Sequence, residues 1–150
     1  MAETLDVGPG TRVFEVDCGT GEFLYPLHLN GYIVGGIDGD ADAIAQAIAA
    51  MPDGVFQVGI ASALDPGVPW DVVVCRSFSG APDLNYTRGL LARMFAKATH
   101  AIAVLDVPDE RRNWMLHALA EIGAKAIQME EPKIVGPDNA RETFNIFARV

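Results

Sequence analysis

Val13 to Phe23 reads VFEVDCGTGEF, and the reading of this stretch decides the fold. Its first part, RVFEV over residues 12–16, is short and apolar. It lies between Pro9-Gly10 and a glycine loop, as a buried strand does. Gly19 and Gly21 then remove the side chains that would hold a ligand off the backbone. A helical pattern follows over residues 22–29, and Asn30-Gly31 closes it in the manner of a helix C-terminus. A strand, a glycine loop and a helix in that order begin a doubly wound sheet.

The same alternation continues along the chain. Residues 32–37 (YIVGGI) read as a second buried strand ending at Asp38, and residues 41–51 as an alanine-rich helix stopped by Pro52. Strands are expected over 55–59, 71–75 (DVVVC) and 100–105 (HAIAVL), and helices over 84–98 and 109–122. In the last helix Trp114, Met115 and Leu119 fall at helical spacing and read as core, while Arg111-Arg112 reads as a solvated face. Residues 124–129 and 143–148 read as two more strands. They are joined by EPKIVGPDNARE without a helix, so they should pair antiparallel. The fold class is therefore α/β: a Rossmann-like doubly wound sheet of about seven strands, mostly parallel, with an antiparallel C-terminal strand and helices on both faces. Residues 1–150 are expected to form one domain.

Composition narrows the function. A net charge of -9 with no basic stripe disfavours nucleic acid. No apolar run reaches the roughly 18 residues of a membrane span, and MAETLDVGPG lacks the cationic start of a secretory signal. The two cysteines, Cys18 and Cys75, are too few for a disulfide framework and fit a cytoplasmic protein. Both fall at the ends of adjacent strands; packing is the favoured reading over a bridge. His28, His100 and His117 show no metal-ligand spacing, and no metal is expected.

In such sheets ligands sit beyond the carboxyl ends of the strands. Asp38, at the tip of the second strand, is placed to accept hydrogen bonds from ribose hydroxyls. Taken alone, it reads more readily as a helix cap for residue 41 onward. A dinucleotide site would need a third glycine where Leu24 stands, and no G-K-S/T follows the loop, so nicotinamide binding and a P-loop are both disfavoured.

EVDCGTG and VGGID together resemble the first two motifs of the class I S-adenosylmethionine-dependent methyltransferases, and the likeness runs over nearly the whole chain. The resemblance implies that S-adenosylmethionine lies over Glu15, Asp17, Cys18, Gly19, Thr20 and Gly21, with Asp38 on the ribose. It further implies that Gly39, Ile60, Ala61 and Ser62 border the adenine and that Cys75 lies beneath the site. Three positions depart from the family pattern. Asp17 stands where the first glycine is usual, and it either crowds the cofactor or attracts its positive charges. Ile60 replaces a common acid, and Gly39 a larger apolar residue. Glu15, in a buried strand, orders the loop through backbone N–H groups or reaches the cofactor amine.

The activity implied is in-line methyl transfer to a small-molecule acceptor. Arg76, Ser77, Phe78 and Asp106 are candidates for the acceptor region, and SGAPDLNY (residues 79–86) for its mouth. The chain begins about ten residues before the first strand, so the acceptor site is expected to be open or completed by a second subunit or a partner. A catalytically weak scaffold subunit and a NAD-dependent oxidoreductase are the alternatives.

Overall fold

A computed structural model of the chain describes residues 1–76, 83–131 and 143–150. Among the described residues seven strands form one sheet in the order β3-β2-β1-β4-β5-β7-β6. These are β1 (Arg12–Val16), β2 (Ile33–Asp38), β3 (Val55–Val58), β4 (Trp70–Cys75), β5 (Ala98–Pro108), β6 (Lys125–Glu130) and β7 (Thr143–Arg149). Strands β1 to β5 run parallel, whereas β7 lies antiparallel between β5 and β6. An all-parallel dinucleotide-binding sheet has no such inserted strand, and the expected antiparallel pairing of the last two strands is observed.

The helices are α1 (Ala2–Leu5), α2 (Leu24–Leu29), α3 (Ala41–Ala50), α4 (Leu84–Lys97) and α5 (Arg112–Glu121). Each layer follows from the alternation of side chains along the central strands. Val13, Val34, Val72 and Val74 face one way, where they meet Leu5, Leu24, Ile44, Ala47 and Met51. Phe14, Val16, Val73 and Cys75 face the other way, against Leu64, Leu90, Leu91, Met94, Met115 and Leu119. Burial of these runs on both faces is why they read as unbroken apolar segments.

Several boundaries differ from the sequence expectation. Helix α2 starts at Leu24 rather than at residue 22, because the Gly21 N–H is taken by the Cys18 carbonyl in a turn. Strand β5 extends past Leu105 to Pro108 through an irregular step at Asp106, whose φ of 57° breaks the ladder to β7. The last expected helix begins with a 3-10 turn over Asp109–Arg111. Arg112, expected on a solvated face, lies 4.8 Å from the Phe144 ring centroid and 4.0 Å from the Asp109 carboxylate. The segment before β1 contains α1, too short to show a period; its Leu5 is buried and its Leu5 carbonyl lies 3.0 Å from His100 Nε2, near the start of β5. The 131–142 connection lies outside the described residues except for Glu131.

At the start of the sheet, the Arg12 N–H and guanidinium both donate to Asp71, at 2.8 and 3.0 Å, fixing the β1–β4 register. The buried Lys97 ammonium donates to the carbonyls of Asp65 and Val68 at 2.8 and 3.2 Å, so its charge is not left bare.

Candidate functional site

Four chain segments meet at the carboxyl ends of β1, β2 and β4. Beyond Val16 the backbone turns sharply: Asp17, Gly19 and Gly21 take φ values of 55°, 53° and 81°. Such values favour glycine, and aspartate is among the few other residues that adopt them readily. Asp17 therefore holds a backbone conformation that glycine also adopts. Gly21 has a second constraint, since a Cβ there would lie 2.4 Å from Met51 Cε.

The loop is tied to the neighbouring strand at two points. The Cys18 N–H donates to the Ile37 carbonyl at 3.1 Å, and the Gly19 N–H donates to Asp38 Oδ2 at 2.7 Å. Asp38 Oδ1 accepts from the Asp40 N–H at 2.9 Å. Asp38 is thus not the cap of α3. That role belongs to Asp40, whose carboxylate accepts from the N–H groups of Asp42 and Ala43 at 2.9 and 3.2 Å. Two of the four acceptor directions of the Asp38 carboxylate remain for a ligand.

Cys18 packs against Gly36, where a Cβ would come within 2.6 Å of its Sγ. It belongs to the layer of α2 and α3, whereas Cys75 belongs to the layer of α4 and α5. Both thiols are free and buried, and they pack on opposite faces of the sheet. Burial, then the charges of Glu15 and Asp38, pushes the Cys18 thiol up to about 12. Burial likewise raises that of Cys75.

Glu15 is fully buried, and its hydrogen-bond partner is a side chain rather than the backbone N–H groups of the loop. Its Oε1 accepts from Arg76 Nε at 2.6 Å, and the Arg76 guanidinium rests 5.2 Å from the Phe23 ring centroid. Oε2 has no hydrogen-bond partner among the described residues. Burial outweighs the Arg76 hydrogen bond and charge, and with the nearby Asp17 and Asp38 it raises the carboxyl to about 7. Partial burial and then Asp38 also hold the Asp17 carboxyl above its ordinary value.

On the far side of Asp38, the Gly59 N–H donates to the Asp38 carbonyl at 2.8 Å, bringing the start of the next connection alongside. Gly39 and Ile60 are neighbours, a Cβ on the former lying 3.8 Å from Ile60 Cγ2. Ile60 is 60% exposed, which leaves an apolar face beside a residue without a side chain. Ala61 is buried at the start of a 3-10 turn, and Ser62 is exposed.

Solved structures share this architecture. Magnesium protoporphyrin IX methyltransferase (ChlM) from Synechocystis PCC 6803, with bound SAM, matches with a TM-score of 0.77 at 17% identity, over 94% of this chain and 70% of that one. A TehB-like SAM-dependent methyltransferase from Corynebacterium glutamicum gives 0.78 at 17% identity, over 98% and 83% of the two chains. The N-methyltransferase NodS from Bradyrhizobium japonicum gives 0.77 at 15%, over 97% and 88%. The fold is that of the S-adenosylmethionine-dependent methyltransferases.

A 49-residue segment is also 43% identical to the 23S rRNA (uracil(1939)-C(5))-methyltransferase RlmD of Nitrosococcus oceani; it covers 33% of this chain and 11% of that protein, so the chain spans about a tenth of that relative's length. No protein-family model matches the chain.

Within the methyltransferase fold the candidate residues divide into two groups. Glu15, Asp17, Cys18, Gly19, Gly21 and Asp38 come together around the loop, and Arg76 joins them through Glu15. Arg76 is thus already engaged by the protein's own carboxylate. Thr20 lies partly exposed within the loop. Asp106 is exposed on β5, and its N–H donates to Asn145 on β7 at 3.2 Å. Ser77 and Phe78 lie outside the described residues. Tyr86, at the end of the expected mouth, was not singled out by its sequence context. It packs against the layer that contains Cys75, and burial holds its phenol above its ordinary value. No group of three metal-ligating side chains occurs among the described residues.

Proposed function

We propose that the chain is an S-adenosylmethionine-dependent methyltransferase acting on a small-molecule acceptor. The observation that carries this reading is the bond from the Gly19 N–H to Asp38 Oδ2, which brings the glycine loop and the tip of β2 to one place. The residues present suit the cofactor. A Cβ at Gly19 would meet no atom within 4 Å, so the backbone is open to a ligand there. Asp38 keeps acceptor capacity for a ribose diol, and Glu15 Oε2 is a buried acceptor still lacking a donor.

When bound, the cofactor supplies a methyl group on a sulfonium centre, an electrophile strong enough that the protein need not generate one. The tasks left to the chain are positioning and exclusion of water. Asp38 orients the ribose, while Gly39, Ile60, Ala61 and Ser62 border the adenine. Cys18 and Cys75 are packing residues under the loop. The acceptor enters beside Arg76, with Asp106 as a further candidate on β5. If the acceptor must lose a proton, Asp17 is a titratable group placed near it. The charge of -9 favours a small acceptor over an RNA, and ChlM is named for a small molecule, magnesium protoporphyrin IX.

Calorimetric titration of the purified chain with S-adenosylmethionine, with NAD as control, tests the reading. Saturable binding of the first and none of NAD is expected. Asp38→Ala should weaken binding by about tenfold or more, the effect of losing a charged hydrogen-bond acceptor; unchanged affinity in a folded variant would remove the ribose assignment.

A further inference from the structure

The cation nearest the loop, Arg76, is spent on Glu15 and the Phe23 ring. Asp17 has no such partner: among the described residues no donor or cation is recorded against its exposed carboxylate, and its recorded charged neighbours are Asp38 and Glu15. Beneath it lies Glu15 Oε2, fully buried and without a hydrogen bond among the described residues. With all groups ionised, three carboxylates face one guanidinium. The end of the sheet therefore carries surplus negative charge where the loop opens.

Asp17 is also not needed for the backbone. Its φ of 55° is one that glycine adopts with less strain, so the loop would form as well or better without a side chain there. What aspartate adds at this position is its charge.

We propose that Asp17 is a specificity-determining residue that makes the site discriminate by charge, favouring S-adenosylmethionine, with its sulfonium cation, over the neutral thioether S-adenosylhomocysteine left after transfer. The inference rests on the cofactor reading above. Both ligands carry the same ribose, adenine, ammonium and carboxylate, so those contacts cancel in the ratio of their affinities. The sulfonium charge does not cancel. A carboxylate facing it across a partly solvated cleft would be worth about tenfold in that ratio. Such a preference also clears the product from the enzyme, because methyl transfer abolishes the charge that Asp17 attracts.

The experiment is parallel calorimetric titration of the native chain, Asp17→Asn and Asp17→Gly with S-adenosylmethionine and S-adenosylhomocysteine. Asparagine and glycine both accept the left-handed backbone, and a thermal melt verifies that each variant folds. The native protein should prefer the sulfonium ligand by about tenfold at low salt, falling toward parity near 1 M salt, and both variants should bring the ratio close to one. An unchanged ratio in folded variants that bind both ligands overturns this inference and leaves the cofactor reading standing. Binding of neither ligand by the native chain overturns both.

Discussion

Replacing Glu15 with glutamine should remove a pH-dependent load on the fold. The carboxyl is fully buried, holds one hydrogen bond from Arg76 and has one oxygen without a partner. It titrates at about 7 in the folded protein against 4.5 for an ordinary glutamate. A proton bound more tightly by the folded state stabilises it at low pH, and that stability is lost as pH rises from the unfolded value through the folded one. Between these limits the loss amounts to about 3 kcal/mol, of which about 2.5 kcal/mol falls between pH 5 and pH 8. Urea unfolding of the native chain and Glu15→Gln at several pH values across that range is the assay. Taking the difference between the two proteins removes the contributions of every other carboxyl. Any fixed cost of burying an amide is likewise constant with pH. The variant should gain on the native protein by about 2.5 kcal/mol from pH 5 to pH 8. A flat difference would refute the reasoning, since it would mean that Arg76 alone keeps Glu15 ionised. A difference falling with pH would mean that the ion pair outweighs burial.

Two further outcomes are expected. Gly21→Ala forces a Cβ to within 2.4 Å of Met51 Cε at a φ of 81°, so chemical denaturation should show a loss of about 1–3 kcal/mol. Cys18 and Cys75, both buried and with raised thiol values, should resist a thiol reagent at pH 8 until denaturant is added, when both should react.

The parts of the fold legible in the sequence are those set by local pattern. Val13 to Val16 and Val72 to Cys75 are covered on both sides, so unbroken apolar runs between turn residues reveal them as central strands. Asn30-Gly31 marks a helix end because Gly31 takes a φ of 82°, which few other residues accept. The glycine loop and Asp38 were legible because their spacing expresses one strand, one turn and one helix. Features set by tertiary contact left no such trace. Arg76 and Glu15 are 61 residues apart, and although β1 and β4 were expected as neighbours, nothing adjacent to either residue shows the side-chain pairing that joins them. The irregular step at Asp106 depends on β7, and the packing of Tyr86 against the Cys75 layer depends on where α4 lies. Arg112 looked solvated because its helix position was visible and the Phe144 ring beneath it was not.

The bond from Gly19 to Asp38 closes a loop of 19 residues, while the bond from Arg76 to Glu15 closes one of 61. Because closure entropy grows with the logarithm of length, the longer connection costs about 1 kcal/mol more. The unit from Arg12 to Asp38 therefore assembles from neighbouring chain at the lower entropic cost. The charge pair beneath it depends on a strand brought from far along the sequence. The shape of the loop is thus fastened by neighbouring chain, and the charge balance of Glu15 by a residue from far along it.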